Sequence, residues 1–490
     1  MRHVVVLALA ACGDGGAEVT PVIDVPMNDT ASAFPLDTIT LSAAHQGNPL
    51  DITLKTFTKG QSIALGGIPF GDDLVLHMNG YIGGTDTAAF AYGRTCAFAV
   101  DANGALPQPH LYFSRIVKFG QLGFTPLLRV GGTAVTYHDG SGILIGGASP
   151  DDPSSAVTDV ERFDPSTGEF RLLTTISARI GSVVALLGTG SEALVTIIGG
   201  TDPTGAGATL VETIEAENPA DSRVGHVDDS SMGRLGLTAT TLSSGSIVVI
   251  GGSGSGSGCG SQNDPAACVE QITLGSDGSP AVLPAHGSLL HGRWNHTATR
   301  LSDEMSAPVL VVGGVGQGSS APLADVELYH PLTGMFSTFS DPRFMMKHPR
   351  SGHQAVLMPD GSLLIIGGID GNGQPVAALE SFTLDGGFAD TGTLGSNAGA
   401  IDFTATPLPD GRVLITGGRT MPGGAPVPTA FFLAINTNTN MVDTVATNQL
   451  TVARAGHNAT LLCDGTVLVS GGTPDPQPAE RYNPESASRR

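Results

Sequence analysis

Two charged residue types recur along this chain at fixed intervals. Arg129, Arg234, Arg350 and Arg454 each stand seventeen residues before a Gly-Gly pair, and Arg179 and Arg293 stand twenty before theirs. Glu161, Glu212, Glu270, Glu327, Glu380 and Glu480 follow those pairs, in stretches such as VERFD and VELYH. The pair at 417–418 has neither partner: Ala400 and Leu433 stand in the corresponding places. The joint loss marks Arg and Glu as partners. A buried charge left alone costs about 3–5 kcal/mol, whereas an apolar replacement of both is tolerated. We read six structural Arg–Glu pairs; the competing chemistry is a ring of arginines aimed at an anionic ligand.

Three residues after the Arg stand His296, His353 and His457, with Phe403 at the same place beside Ala400. Equivalent histidines invite a metal, but a Phe in the series favours packing residues, and no metal is expected. The lone Trp294, in HGRWNH, is the best exposed-contact candidate, with Arg293 and His296 beside it as ligand-binding candidates. An indole there can stack on a sugar or anchor a protein. Cys259 and Cys268 lie in GSGCGSQNDPAACVE, a loop that a local disulfide would close; Cys96 and Cys463 remain unassigned. No Gly-x-Ser-x-Gly elbow, P-loop or His-Glu-x-x-His is present, and no catalytic residue or cofactor is assigned.

The Gly-Gly pairs set the frame for these residues. GILIGG, TIIGG, IVVIGG, VLVVGG, LLIIGG, VLITGG and VLVSGG place their first glycines at Gly146, Gly199, Gly251, Gly313, Gly367, Gly417 and Gly471. A period near fifty residues signals stacked supersecondary units, numbered here one to seven. Each unit reads as an alternating strand, a tight turn such as Asp360-Gly361, an apolar strand into Gly-Gly, a Glu-bearing third strand and a closing fourth strand. Four antiparallel strands per unit, repeated radially, make a propeller blade.

The pattern resembles the kelch family over residues 111–490, in the Gly-Gly after the second strand and the Glu-x-aromatic of the third. The usual fourth-strand Trp is absent, and Phe170 and Phe336 stand in two such places. The resemblance implies an all-β, seven-bladed kelch-type β-propeller. Unit seven stops after three strands, so the segment at 115–124, with Phe119 placed as Phe170 is, should return as its fourth. The kelch fold of the galactose oxidase type carries copper on Tyr, His and a Tyr–Cys cross-link; no such constellation is found here.

Residues 36–110 lack the pattern and show about six short strand runs at sandwich spacing; the stretch resembles the small Ig-like or transthyretin-like modules of exported bacterial proteins, which implies a small β-sandwich. The start, MRHVVVLALAAC, resembles a bacterial lipoprotein signal: residues 1–11 as signal peptide, Cys12 as the lipidated residue, and 12–35 as a spacer. The net charge of -22, with charged residues only 14% of the chain, argues against nucleic acid and against docking on anionic lipid except through that anchor. The expectation is a monomeric lipoprotein of the cell envelope, at the outer membrane or cell surface, binding a protein or glycan without catalysis. The alternative is an exported carbohydrate-active enzyme, an oxidase or sugar epimerase.

Overall fold

The computed structural model describes residues 17–484 apart from 27–34, 49, 51, 102–106, 124–125, 128, 218–223, 255–266, 285–286, 317, 396–397, 437, 440 and 474–476. Among the described residues the protein is all-β, with only short 3-10 turns besides strands.

Seven four-stranded antiparallel sheets follow the Gly-Gly repeat. In unit one the strands are Thr133–Thr136, Gly142–Ile145, Asp159–Asp164 and Glu169–Thr175, paired in that order. The second strands are short, rich in branched residues and buried along their length, as Ile247–Ile250 and Leu363–Ile366 show, with only Leu194 at the start of unit two's partly exposed. They are covered on both faces by neighbouring sheets, which is why they read as continuous apolar runs rather than as alternating ones. The first strands of successive units lie side by side from unit one through unit seven, and that of unit seven, Asn458–Leu461, touches both unit six and unit one.

The chain ends meet in the sheet of unit seven. Lys118–Gln121 pairs with Glu480–Asn483, which pairs with Val467–Ser470 and then Asn458–Leu461. Phe119 lies opposite Tyr482, ring centroids 4.6 Å apart. The same third-strand to fourth-strand aromatic contact recurs as Phe163–Phe170, Tyr329–Phe336 and Phe382–Phe388, at 4.9, 5.2 and 5.0 Å. Phe170 and Phe336 thus pack on the aromatic of their own third strand.

The N-terminal region is a separate set of strands. A sheet runs in the order Ser114–Arg115, Ala91–Arg94, Gly71–Tyr81, Thr38–His45, Thr53–Thr58, with Phe98–Val100 also on Gly71–Tyr81. Two boundaries differ from the expectation. The segment 12–35 is not all spacer: Ala17–Val19 pairs with Leu65–Ile68, and Val22–Asp24 runs parallel to His110–Tyr112. Its run AEVTPVID carries apolar residues that complete the core, with Val19 fully buried beside Leu65 and Ile68. The region also continues past 110, through Ser114–Arg115, before the seven-sheet body begins at Lys118.

This region is fastened to the sheet of unit seven. Cys96 and Cys463 form a disulfide across 367 residues of sequence. Asn483 Nδ2 donates to the carbonyls of Tyr92 and Ser114 at 2.7 and 3.2 Å. Cys268 is half of a disulfide, while Cys259 and Cys12, and with them the signal segment, lie outside the described residues.

Candidate functional site

The segment that crosses from one sheet to the next carries the recurring Arg, and its position is set by the glycines. Both residues of each pair have positive φ, for example 65° and 86° at Gly367 and Gly368, a region that side chains avoid. The second glycine donates its N–H to the carbonyl of the next unit's Arg, as in Gly314 to Arg350 and Gly418 to Arg454, at 3.0 and 2.7 Å. Gly472 donates to Arg129 at 2.9 Å, so unit seven is stapled to unit one in the same way. A Cβ on Gly313 would lie 2.6 Å from the Arg350 carbonyl oxygen. The glycine is therefore needed because the following sheet's backbone rests on it.

The structure brings each recurring Arg onto the Glu of its own unit. Arg350 Nη2 meets Glu380 Oε2 at 2.7 Å, with neither side chain exposed. Arg350 Nη1 donates to the carbonyls of Gly367 and Ala378, and Lys347 N–H donates to Glu380 Oε1 at 2.7 Å. Arg129–Glu161, Arg293–Glu327 and Arg454–Glu480 are bridged at 2.6, 2.8 and 3.2 Å, and Arg179–Glu212 and Arg234–Glu270 are in direct contact. Burial lowers the pKa of Arg129, Arg179, Arg350 and Arg454 from the ordinary value, and each partner Glu pulls it back. Each pair joins a crossing segment, the end of a second strand and a third strand. In unit six Ala400, Phe403 and Leu433 share one apolar cluster instead.

The histidines are packed between sheets. His296, His353 and His457 each bring Nε2 to a Thr of the preceding unit: Thr238 at 3.0 Å, Thr297 at 2.9 Å and Thr404 at 3.1 Å. Burial, followed by the neighbouring Arg, pushes His353 and His457 down to about 3 and His296 well below its ordinary value. Neutral rings in separate units do not gather as ligands. One cluster that the sequence left unnoticed, His291, Asp325 and Glu327, has its ligand atoms within 4.8 Å. Arg293 already sits on both carboxylates, at 2.9 and 2.8 Å, where a cation would have to go.

Two of the three ligand-contact candidates are therefore corrected. Arg293 is fully buried against Glu327 and the Gly313 carbonyl, and His296 is 5% exposed. The repeat demanded those residues for packing, so their place beside a Trp carries no contact role. Trp294 is half-buried and pairs with Val315. It lines a cleft of about 380 Å³ between units two, three and four, together with Thr201, Leu235, Ser253 and Asn295. Half of that lining is glycine, so main chain is presented directly to the cavity. Its one charged lining residue, Arg234, is buried against Glu270. A second cleft, of about 370 Å³, lies among units one, five, six and seven, with Asp402, Gln354 and Asn458 in its wall.

Asn295 and Asp402 had a signal in the sequence. The residue two after the Arg is Gly131, Gly181, Gly236, Gly352 and Gly456 in five units, all with φ between 62° and 73°. Asn295 and Asp402 replace that glycine and keep positive φ, 50° and 53°.

No protein-family model and no curated protein matches the chain. Among solved structures it is similar to one titled "Structure of YjhT", at 13% identity and a TM-score of 0.45, over 73% of this chain and 95% of that one. The chain itself is an all-β protein of repeated four-stranded antiparallel sheets, the arrangement of a propeller, and between three of those sheets it holds a glycine-walled cleft, with a half-buried Trp at its edge and its one charged lining residue, Arg234, already paired.

Proposed function

We propose that this protein is a non-catalytic binding module of the cell envelope, taking a glycan or a protein on a seven-bladed kelch-type propeller. The seven sheets, each with its Gly-Gly after the second strand, support reading the units as blades, and the N-terminal strands support a small Ig-like module in front of them. The observation that carries the binding role is the cleft at Trp294: main chain and neutral polar groups beside one aromatic face, with no titratable group free within it. Such a surface recognises shape and hydroxyl or amide groups and offers no acid–base pair for turnover.

The Cys96–Cys463 disulfide supports export to an oxidising compartment. With the Leu9-Ala10-Ala11-Cys12 string it favours a lipid-anchored envelope protein. Cys12→Ser should shift the protein from the detergent phase to the aqueous phase in a partition assay; an unchanged distribution refutes the anchor.

The enzymatic alternative, a sugar oxidase or epimerase, is separated by one experiment. Purified protein is applied to a glycan array and to envelope extracts, and its metal content and sugar turnover are measured in parallel. Saturable binding abolished by Trp294→Ala is the expected result. A stoichiometric bound metal, or turnover of a sugar without retained binding, overturns the module reading.

A further inference from the structure

We propose that Asn295 and Trp294 together form a subsite for a neutral sugar ring. This rests on the binding-module reading and goes further, because it names the ligand class and a residue that selects it. The starting point is conformational. At the position two after the Arg, five of the seven units use glycine, and the chain turns there with positive φ. Asn295 holds that conformation with a side chain, which Asn tolerates better than most residues but less freely than glycine. Strain of this kind persists where something is gained from it.

Asp402, the other residue of this type, has a structural reason. Its Oδ2 accepts from Arg419 Nε at 3.1 Å. Asn295 has none of that kind. Its backbone N–H donates to the Gly236 carbonyl at 2.8 Å, as a glycine's would. Its side-chain amide is exposed and has no hydrogen-bond partner among the described residues. The neighbouring unit leaves room for that amide, since a Cβ on Gly236 would lie 2.4 Å from Asn295 Oδ1. An unengaged amide is thus held in the wall of the cleft, one residue from a half-buried indole.

The two groups match the two faces of a sugar. The C–H face of a pyranose stacks on an indole. A vicinal pair of hydroxyls both donates and accepts, and a primary amide offers two N–H donors and one carbonyl acceptor to meet them. The cleft offers a carboxylate no free cation, because Arg234 is committed to Glu270, and the net charge of -22 repels an anionic chain at distance. Sialic and uronic acids are therefore discriminated against.

The test uses the full chain on an array of chains ended in neutral hexoses or N-acetylhexosamines, alongside the same chains capped with sialic or uronic acid. The best neutral hit is then titrated against wild type, Trp294→Ala and Asn295→Gly. Asn295→Gly restores the residue that five other units use, so it should melt at or above the wild-type temperature and still lose at least tenfold in affinity. Loss of binding in Trp294→Ala with full affinity in Asn295→Gly overturns this inference and leaves the module reading standing. Preference for the acid-capped chains overturns neutral selection. Full affinity in both variants removes the cleft from either reading, and a wild type silent on every glycan defeats the sugar subsite while leaving protein binding to the envelope-extract arm.

Discussion

Units five and six have the same backbone and different interiors. Both pair four strands in order, both turn through Gly-Gly, and both rest those glycines on the next crossing segment. Unit five fills the space under its crossing with Arg350, Glu380 and the neutral ring of His353. Unit six fills the same space with Ala400, Leu433 and Phe403. What is common to them is main chain: the left-handed glycines and the hydrogen bonds between successive sheets. The buried pair is one of two ways to occupy a volume that the backbone has already defined. Its polar atoms are satisfied together or dispensed with together, since half a pair is worse than none.

The sharpest way to break this equivalence is to remove one partner only. Arg350→Ala should destabilise by about 3–5 kcal/mol, read from the midpoint of denaturant unfolding, because Glu380 would keep one backbone N–H and lose its counter-charge. An unchanged midpoint would mean that the charges are not coupled to the fold. Converting unit five toward unit six is the second test. Adding Glu380→Leu to Arg350→Ala should recover a good part of the loss, with a coupling on the order of 1–3 kcal/mol in the double-mutant cycle. Strictly additive losses would mean that unit six relies on something else.

The third test concerns the ring nitrogens, through pH. His353 and His457 are held down to about 3 in the folded protein, against an ordinary value of 6.5, and His296 is lowered in the same direction. The unfolded chain therefore takes up protons first. Stability is fully present above pH 6.5 and is lost as pH falls toward 3. His353→Phe, the residue type of unit six, should reduce the slope of stability between pH 5 and 4 by roughly 1.4 kcal/mol per pH unit, one proton's share. A slope equal to that of wild type would place the acid sensitivity elsewhere. The smallest effect belongs to Asp402→Gly, which restores the common residue while losing the Arg419 contact. A change within about 0.5 kcal/mol is expected, and a loss beyond about 2 kcal/mol would show that this ion pair holds the crossing.

Much of this was legible from spacing. A Gly-Gly every fifty-odd residues and a strand-like run missing from one end carried the repeated sheet and the pairing of 118–121 with 480–483, because a repeat written seven times averages out local ambiguity. The Arg–Glu partners could be matched because unit six lost both. The cleft was less legible. Arg293 and His296 are prominent residue types whose repeat positions are internal, whereas Asn295 is an unremarkable residue in an unusual place. Its signal was a missing glycine, visible only once φ was attached to the position. The strands at 17–24 escaped for the opposite reason: three-residue runs outside any repeat have no period to declare them. The link between Cys96 and Cys463 had no local mark at all, since contacts at such separation leave none in sequence.

That link alters how the molecule would come apart. Without it, loading the chain at its N-terminal side would strip Lys118–Gln121 from Glu480–Asn483 and open the closing sheet from its outer edge, one hydrogen bond at a time. With it, tension arriving at Cys96 passes directly into Cys463, in the turn between the first two strands of that sheet, and bypasses the outer pair. The outer pair then leaves the load path, and the force falls on the turn that joins Asn458–Leu461 to Val467–Ser470. A loop of this length also restricts the unfolded chain, an effect on the order of 5–6 kcal/mol on the entropic model, so reduction should lower both the equilibrium stability and the force at which the ring opens.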